Sequence, residues 1–447
     1  MSDTDFLATA AGAVEAALGA GADAAEAYLT SGTSIEIEVR DGRVETTKSA
    51  AEKGLGLRVF RGRRFGYAYT TDLSPGGLKE MARRAVACAA LTAEDEFHRL
   101  PDPVPAYPEV DIFDPRLPEK KIDEKIELAR RMEEVARAYD PRVTIVESAT
   151  YQDGLVEVGI VSSANVSAYY RGSACGLYIA LTAREGEDHQ TGFALDFKPR
   201  FADLNPEEVG REAAQRAVRM LGARSQAGMQ VPVVFDPYVM VSLLGVLAPA
   251  LTAEAVQKGR SLLAGRVGEA VASEHVTIVD DGTLEGGVRS APFDGEGVPS
   301  SRSVLIEKGL LQGYLYNTYT AAKDGVSSTG NGVRSSYKGV PEVGTTNFFL
   351  APGEKSPEEL IGEIDTGFYV GEVMGMHTAN PISGDFSVGA TGLWIENGRL
   401  VRPVRGLAIA GNIGELLKAV DAVGKDLRFF GGKGAPTVRI SRLSVSG

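Results

Sequence analysis

Histidine is scarce in this sequence: only His98, His189, His275 and His377 occur in 447 residues. A zinc hydrolase built on one helix needs two histidines a few residues apart with a glutamate beside the first. No two of the four lie within eight residues of each other, and none is followed by Glu. A metal site would have to be assembled from distant residues, with His275 or His377 joined by carboxylates. Other hydrolytic signals are fragments. Asp365-Thr366-Gly367 matches the aspartic-protease tripeptide, but that chemistry needs two carboxylates sharing a proton. The chain has one copy, and a helix end entering a strand accounts for it. Ser335 and Lys338 have the SxxK spacing in which a lysine activates a serine, without a KTG companion. No GxSxG elbow, P-loop or full GxGxxG fingerprint occurs.

Two denser constellations remain. SSTGNGVRSSYKG (327–339) places Gly330, Asn331, Gly332 and Arg334 between β-like segments. Such a loop offers backbone N–H groups and a guanidinium to a carboxylate or a peptide carbonyl. MGMHTANPISGDFSVGATGLWIENG (374–398) gathers His377, Asn380, Ser383, Asp385 and Ser387 among glycines. The competing reading of both is tight turns whose polar side chains satisfy turn amides.

The elements that must position these residues fall into two textures. Residues 5–18 have helical spacing, ended by Gly19 and Gly21. SIEIEVR and RVETT flank Asp41-Gly42, and GLGLRVF and FGYAYTT (54–71) form a second hairpin, before a helix from Ser74-Pro75 to about Leu91. Six prolines between 98 and 118 exclude helix or central strand there and predict an extended linker or a strap. The order then recurs: a helix over about 119–139, strands at 143–148, 155–162, 166–171, 176–184 and near 191–197, and a helix from Pro206 to before Gly222. From residue 228 short apolar segments alternate with Gly, Asn and Asp turns. A strand at 231–237 is followed by a helix over 238–259 interrupted before Pro249, and further helical stretches fall near 356–363 and 413–422. Glycine follows the same division, 19 in residues 1–225 and 34 in 226–447. The fold class is α+β, with an N-terminal layered α/β region of antiparallel hairpins and flanking helices and a predominantly antiparallel β C-terminal domain. The expected divisions are an α+β unit at 1–97, a Pro-rich linker at 98–118, a second α+β unit at 119–225 and a Gly-rich domain at 226–447.

Composition narrows the function. Lys and Arg total 47 against 60 Asp and Glu, giving a net charge of −13. Such a balance leaves no basic stripe for nucleic acid. The densest basic cluster, Arg58, Arg61, Arg63 and Arg64, reads as a solvated hairpin turn. The N-terminal stretch carries acids where a secretory signal carries Lys or Arg, and no run approaches the roughly 20 apolar residues of a membrane span. Cys88 and Cys175 then read as buried thiols, and cytoplasm is the expected location.

The blocks SLLAGRVGEAVASEHVTIVDDGT (261–283), FDGEGVPSSRSVLIEKGLLQGYLYNTYTA (293–321), STGNGVRSSY (328–337) and SGDFSVGATGLWIENGRLVRPVRGLAIAGN (383–412) resemble the TldD/PmbA family, also called TldD/TldE and once described as modulators of DNA gyrase. In the first half VRDGRVETTKSAAEKGLGLRVF also fits. The resemblance implies a cytosolic metalloprotease of two related subunits acting on unfolded peptides and modified-peptide precursors. Its TldD-type subunit carries HExxxH on the helix before a QKGxSxxxGxVGE-like block and a cysteine ligand near the C-terminus. Counting back from Gln257-Lys258-Gly259, that place reads Leu244-Gly245-Val246-Leu247-Ala248-Pro249, and LRFFGGKGAPTVRI (427–440) has no cysteine. The resemblance therefore points to the TldE/PmbA-type branch: a subunit with no catalytic residue and no metal of its own, the zinc belonging to a TldD-type partner in a heterodimer. Asn331, Arg334, His377 and Asp385 are the residues expected to line the shared substrate cavity. Two alternatives are a homodimeric binding or regulatory protein of the gyrase-modulator kind and a hydrolase with an unrecognised site.

Overall fold

The structure, a computed structural model, describes residues 3–447. Its N-terminal half is built on one six-stranded antiparallel sheet. Helix α1 (Asp3–Gly19) precedes strands β1 (Ala24–Arg40), β2 (Arg43–Arg61) and β3 (Arg64–Thr70), followed by α2 (Pro75–Ala89). The same order then repeats as α3 (Ile122–Tyr139), β4 (Val143–Ser162), β5 (Ser167–Glu185), β6 (Asp188–Lys198) and α4 (Pro206–Val218). The two repeats share the sheet, in the order β3-β2-β1-β4-β5-β6, joined along β1 and β4.

Sequence patterning cut the long strands too short. Gln152-Asp153-Gly154 has turn composition, yet these residues pair with Glu36, Ile35 and Ser34 of β1 on one side and with Gly176, Cys175 and Ala174 of β5 on the other. A ladder on both edges satisfies every backbone group there, which outweighs weak local strand propensity. The hairpins were legible: Asp41-Gly42 and Asn397-Gly398 both have positive φ at the two turn residues, matching the strand twist.

Alternation decides which residues meet which layer. Ala25, Ala27, Leu29 and Ile37 of β1 face the helices, where α1 with α2 covers one end of the sheet and α3 with α4 the other. Glu26 and Tyr28 therefore face the opposite side, toward the C-terminal half. The Pro-rich segment is a strap: the Ile112 carbonyl accepts the Ser173 amide of β5, and the Tyr107 hydroxyl donates to the Gly297 carbonyl at 3.0 Å.

The C-terminal half is mainly antiparallel β. Strands Met229–Phe235, Thr366–Met374, Asp385–Glu396, Arg399–Asn412 and Val438–Ser446 form a sheet that closes on itself where Ala408 and Ile409 pair with Ser446 and Val445. Helix Pro237–Leu247 runs along its apolar interior, with Val239, Met240, Leu243, Leu244 and Leu247 buried. A second sheet combines Ile278–Asp281, Arg302–Glu307, Phe348–Leu350 and Lys433–Ala435 with Leu310–Leu311 and Arg428–Phe430. The expected helix over 413–422 is shorter, Ile413–Lys418, and gives way to strand Val420–Val423. Both cysteines are free; Cys175 is buried, but Cys88 is exposed on α2, contrary to expectation. Among the described residues no helix is long and apolar enough to cross a membrane.

Each repeat presses one glycine of its last strand against its last helix. A Cβ on Gly192 would lie 2.2 Å from the Ala213 carbonyl oxygen and 2.6 Å from the Ala217 nitrogen. The atoms met are helix backbone and cannot rotate away. Gly192→Ala is expected to cost about 1–3 kcal/mol in urea unfolding of the full chain. Gly76→Ala, at an open position in the first turn of α2, is expected to be neutral or mildly stabilising.

Candidate functional site

The sheet register sets Glu26 directly opposite Arg58, and both are buried. Arg58 Nη2 donates to Glu26 Oε2 at 2.6 Å, and Nη1 reaches across to Glu296 Oε1 of the C-terminal half at 2.8 Å. The second oxygen of Glu26 pairs with Arg334. Arg334 also donates from Nε to the Gly295 carbonyl at 2.6 Å and from Nη1 to the Gly339 carbonyl at 3.1 Å, and its guanidinium lies 4.8 Å from the Tyr28 ring centre. Glu296 Oε2 accepts the Thr318 amide at 2.7 Å. One carboxylate of the N-terminal sheet thus holds two arginines, and one of these holds a carboxylate of the β domain. Arg58 is not part of a solvated turn. It lies inside the apolar run Gly54–Phe60, where both faces of the strand are covered, whereas Arg61 and Arg63 are exposed.

A fifth charge-bearing group lies beside them. Asp294 Oδ1 accepts the amides of Glu296 and Val298, at 2.8 and 3.0 Å, and Oδ2 accepts that of Gly332 at 2.7 Å. These donors favour the carboxylate, but burial, reinforced by the Glu296 charge, outweighs them and pushes Asp294 up to about 8. A proton there lets two guanidinium groups balance the remaining two carboxylates. Burial likewise pushes the Tyr28 hydroxyl up to about 12.

These groups edge a cleft between the halves, a cavity of about 400 Å³ lined among others by Tyr28, Tyr170, Phe293, Asp294, Arg334 and Thr346. A second cavity, of about 460 Å³, lies at the end of helix Pro237–Leu247 and shares Thr345 with the first.

The four candidate residues separate into two places. Arg334 lines the cleft. Asn331 is buried in a network of its own, donating to Asp280 Oδ2 at 2.7 Å and to the Gly344 carbonyl at 3.0 Å. It fixes the loop from behind and is not among the cleft-lining residues. His377 and Asp385 are exposed at one end of the closed sheet. Asp385 accepts from Ser383 Oγ at 2.7 Å and Asn412 Nδ2 at 2.9 Å, bonds that hold its carboxyl below the usual range. These are turn contacts, and neither residue lines the two cavities. Lys338 pairs with Glu52, and Tyr337 beside it is buried, so the SxxK fragment is a structural contact to β2. Sequence reasoning missed Glu26, Arg58, Glu296 and Asp294. For Glu26 and Arg58 the available signal was a charged residue inside an apolar strand run; Asp294 and Glu296 lie in a loop between strands and carried no such signal.

A helix-flanked sheet of two repeats, bound through buried ions to a glycine-rich closed β domain, defines an α+β protein of three modules. The chain belongs to the PmbA/TldD family: family models described as PmbA/TldA metallopeptidase domain 1, central domain and C-terminal domain match residues 25–89, 115–221 and 228–447. It is 30% identical to Metalloprotease PmbA of Escherichia coli O157:H7, over 95% of this chain and 92% of that one. It is also similar to the solved structure of TldE from Thermococcus kodakarensis, with a TM-score of 0.91, 27% identity and coverage of 97% of this chain and 99% of that one. A further solved structure, a candidate modulator of a DNA gyrase from Thermotoga maritima MSB8, aligns with a TM-score of 0.92 and 29% identity over 99% of this chain and 100% of that one.

The residues at the place of the implied zinc motif do not fit a metal. Leu244 and Leu247 are buried in the apolar interior, and Gly245, Val246, Ala248 and Pro249 bring no donor side chain. The adjoining cavity is lined by Lys258, Arg260 and Lys433 against one carboxylate, Glu254, a charge balance that repels a divalent cation. Among the described residues no three His, Cys, Asp or Glu side chains form a metal-holding group.

Removing one member of the buried ion cluster leaves its partners charged and dry. Arg58→Met is expected to destabilise the full chain by about 3–5 kcal/mol in urea unfolding. Asp294 supplies a pH test. Its folded value of about 8 lies above its ordinary 3.8, so between those limits the folded chain holds a proton that the unfolded chain has released. The stability this contributes is complete below about pH 4 and is lost as pH rises to about 8. The stability of Asp294→Asn relative to the parent chain is expected to rise from pH 5 to pH 8 and to level off above.

Proposed function

We propose that the chain is the TldE/PmbA-type subunit of a two-subunit metalloprotease acting on unfolded or modified peptides, and that it is non-catalytic by itself. The observation that carries this reading is the donor-free stretch Leu244–Pro249 beside a cationic cavity. The hydrolytic water and its metal then belong to a TldD-type partner, the cytoplasm being the proposed location.

A second feature supports a peptide-handling role. Strand β2 pairs with β1 along its whole length but with β3 only from Leu55 to Arg61. The edge from Arg43 to Gly54 has no strand beside it among the described residues, and nearly all of it up to Glu52 is exposed. An open edge takes up an extended chain through main-chain hydrogen bonds without reading its sequence. Lys48 and Lys53 on that edge also oppose self-association into larger sheets.

The test is cleavage of an unfolded protein such as reduced, alkylated lactalbumin. The purified chain, with or without equimolar zinc, is expected to give no cleavage and to retain no stoichiometric zinc by elemental analysis. Mixing with a TldD-type subunit is expected to give a heterodimer and proteolysis that a chelator abolishes. Zinc-dependent cleavage by this chain alone, or self-association persisting beside a co-expressed TldD-type chain, would overturn the reading.

A further inference from the structure

We infer that the cavity at the end of helix Pro237–Leu247 is a carboxylate-binding site. Three cations and one acid line it, Lys258, Arg260, Lys433 and Glu254. Lys258 and Glu254 neutralise each other as an i,i+4 pair. Arg260 and Lys433 are left over: among the described residues neither side chain has an ion pair or a hydrogen bond. Arg260 is exposed at the mouth, whereas Lys433 is partly buried. Its Cε lies 4.0 Å from where a Cβ on Gly245 would stand, so the aliphatic stem runs over the helix at its one residue without a side chain.

Two cations without a counter-charge at one cavity persist here in a chain with 13 more acids than bases. A cavity whose free charges are both positive, inside a negative molecule, concentrates small anions. The remaining walls choose among them. Ala248, Pro249, Ala255 and Val343 are apolar, and with the Thr252 hydroxyl already donating to the Pro249 carbonyl at 2.8 Å they leave that of Thr345 for the several oxygens of a phosphate. They do suit an aliphatic group attached to a carboxylate, whose single charge matches one ammonium with the Arg260 guanidinium at the rim. Thr345 is a wall of both this cavity and the cleft beside Arg334 and Asp294. A carboxylate held on Lys433 therefore anchors its molecule next to the interdomain cleft.

The carboxylate chemistry follows from the side chains alone. That its source is the free end of a peptide rests on the function proposed above, and an acidic side chain is the other source. Calorimetric titration of the full-length chain, without any partner, separates these. The probes are acetyl-tetraalanine as the free acid, its C-terminal amide, and an amide carrying one internal glutamate. The free acid is expected to bind at least about 10-fold more tightly than the amide, the range of one charge-assisted hydrogen bond, with affinity falling as salt is raised. Lys433→Met should abolish the preference and Lys433→Arg should keep it. Arg260→Gln, at an exposed position, should weaken acid binding several-fold without change in unfolding midpoint, which covers the case in which Lys433→Met does not fold. Equal binding of the glutamate amide and the free acid would show that either source is accepted, tighter binding of the glutamate amide would assign the source to side chains, and both would still support the site. Acid and plain amide binding alike, no binding by any probe, or a preference that survives both Lys433→Met and Arg260→Gln would overturn it. None of these outcomes depends on proteolysis, so the site and the subunit assignment fail separately.

Discussion

Two guanidinium groups and three carboxyl groups, all removed from water, hold the N-terminal sheet against the β domain. Such a cluster is weak as a source of net stability, because desolvation consumes most of the Coulombic gain. Its strength lies in what it forbids. Glu26 uses its two oxygens on Arg58 and Arg334 separately, and Arg58 divides its two terminal nitrogens between Glu26 and Glu296. A slip of the halves past each other would strand at least one charge in a dry interior. The apolar contacts around it, such as Tyr170 on Phe293 with ring centres 5.0 Å apart, tolerate small shifts that the ion cluster does not. Arg334 and Asp294 also line the cleft, so its shape and the lock between the halves are one construction.

That construction explains what could be read from the sequence. Elements defined by local chemistry were legible: the Asp41-Gly42 and Asn397-Gly398 turns, the helices opened by Ser74-Pro75 and Asn205-Pro206, the proline strap. The α+β class and the recurrence of helix, strands and helix followed from periodicity. Where reading failed, a partner remote in sequence had decided the outcome. Gln152-Asp153-Gly154 is strand because β1 and β5 lie on both sides. Arg58 is buried because Glu296, 238 residues away, waits for it. No local pattern distinguishes Arg58 from Arg61 or Arg63 except that it is flanked by Leu57 and Val59.

The same reasoning sorts the candidate residues. Asn331 and Arg334 stand three apart on one glycine-rich loop, yet one turns back to Asp280 and the other forward to Glu26. Gly330 (φ +76°) allows this, since a Cβ there would lie 2.4 Å from the Pro299 carbonyl oxygen. His377 and Asp385 belong to a second loop whose polar residues bond mostly to one another, Ser383 with Asp385 and Asn412 with both. A loop that satisfies itself needs no ligand to be stable. The cleft loop differs because its charges are satisfied only by another part of the chain.

Charge sign gives the last contrast between the two cavities. In the cleft the buried charges are matched, and a proton on Asp294 completes their balance. In the cavity at the helix end the counterpart of Lys433 is missing, although acids outnumber bases across the chain and could have supplied one. Helix geometry explains part of this: a cation near a helix C-terminus is favoured by the peptide dipoles. That effect gives no reason for open space of about 460 Å³ beside it. A Glu at position 245 would reach Lys433, whose Cε lies 4.0 Å from where its Cβ would stand, yet the position is glycine. Space and unmatched positive charge occur together at the end of this helix, where Glu254 is already taken by Lys258 and, among the described residues, no carboxylate is left to answer Lys433.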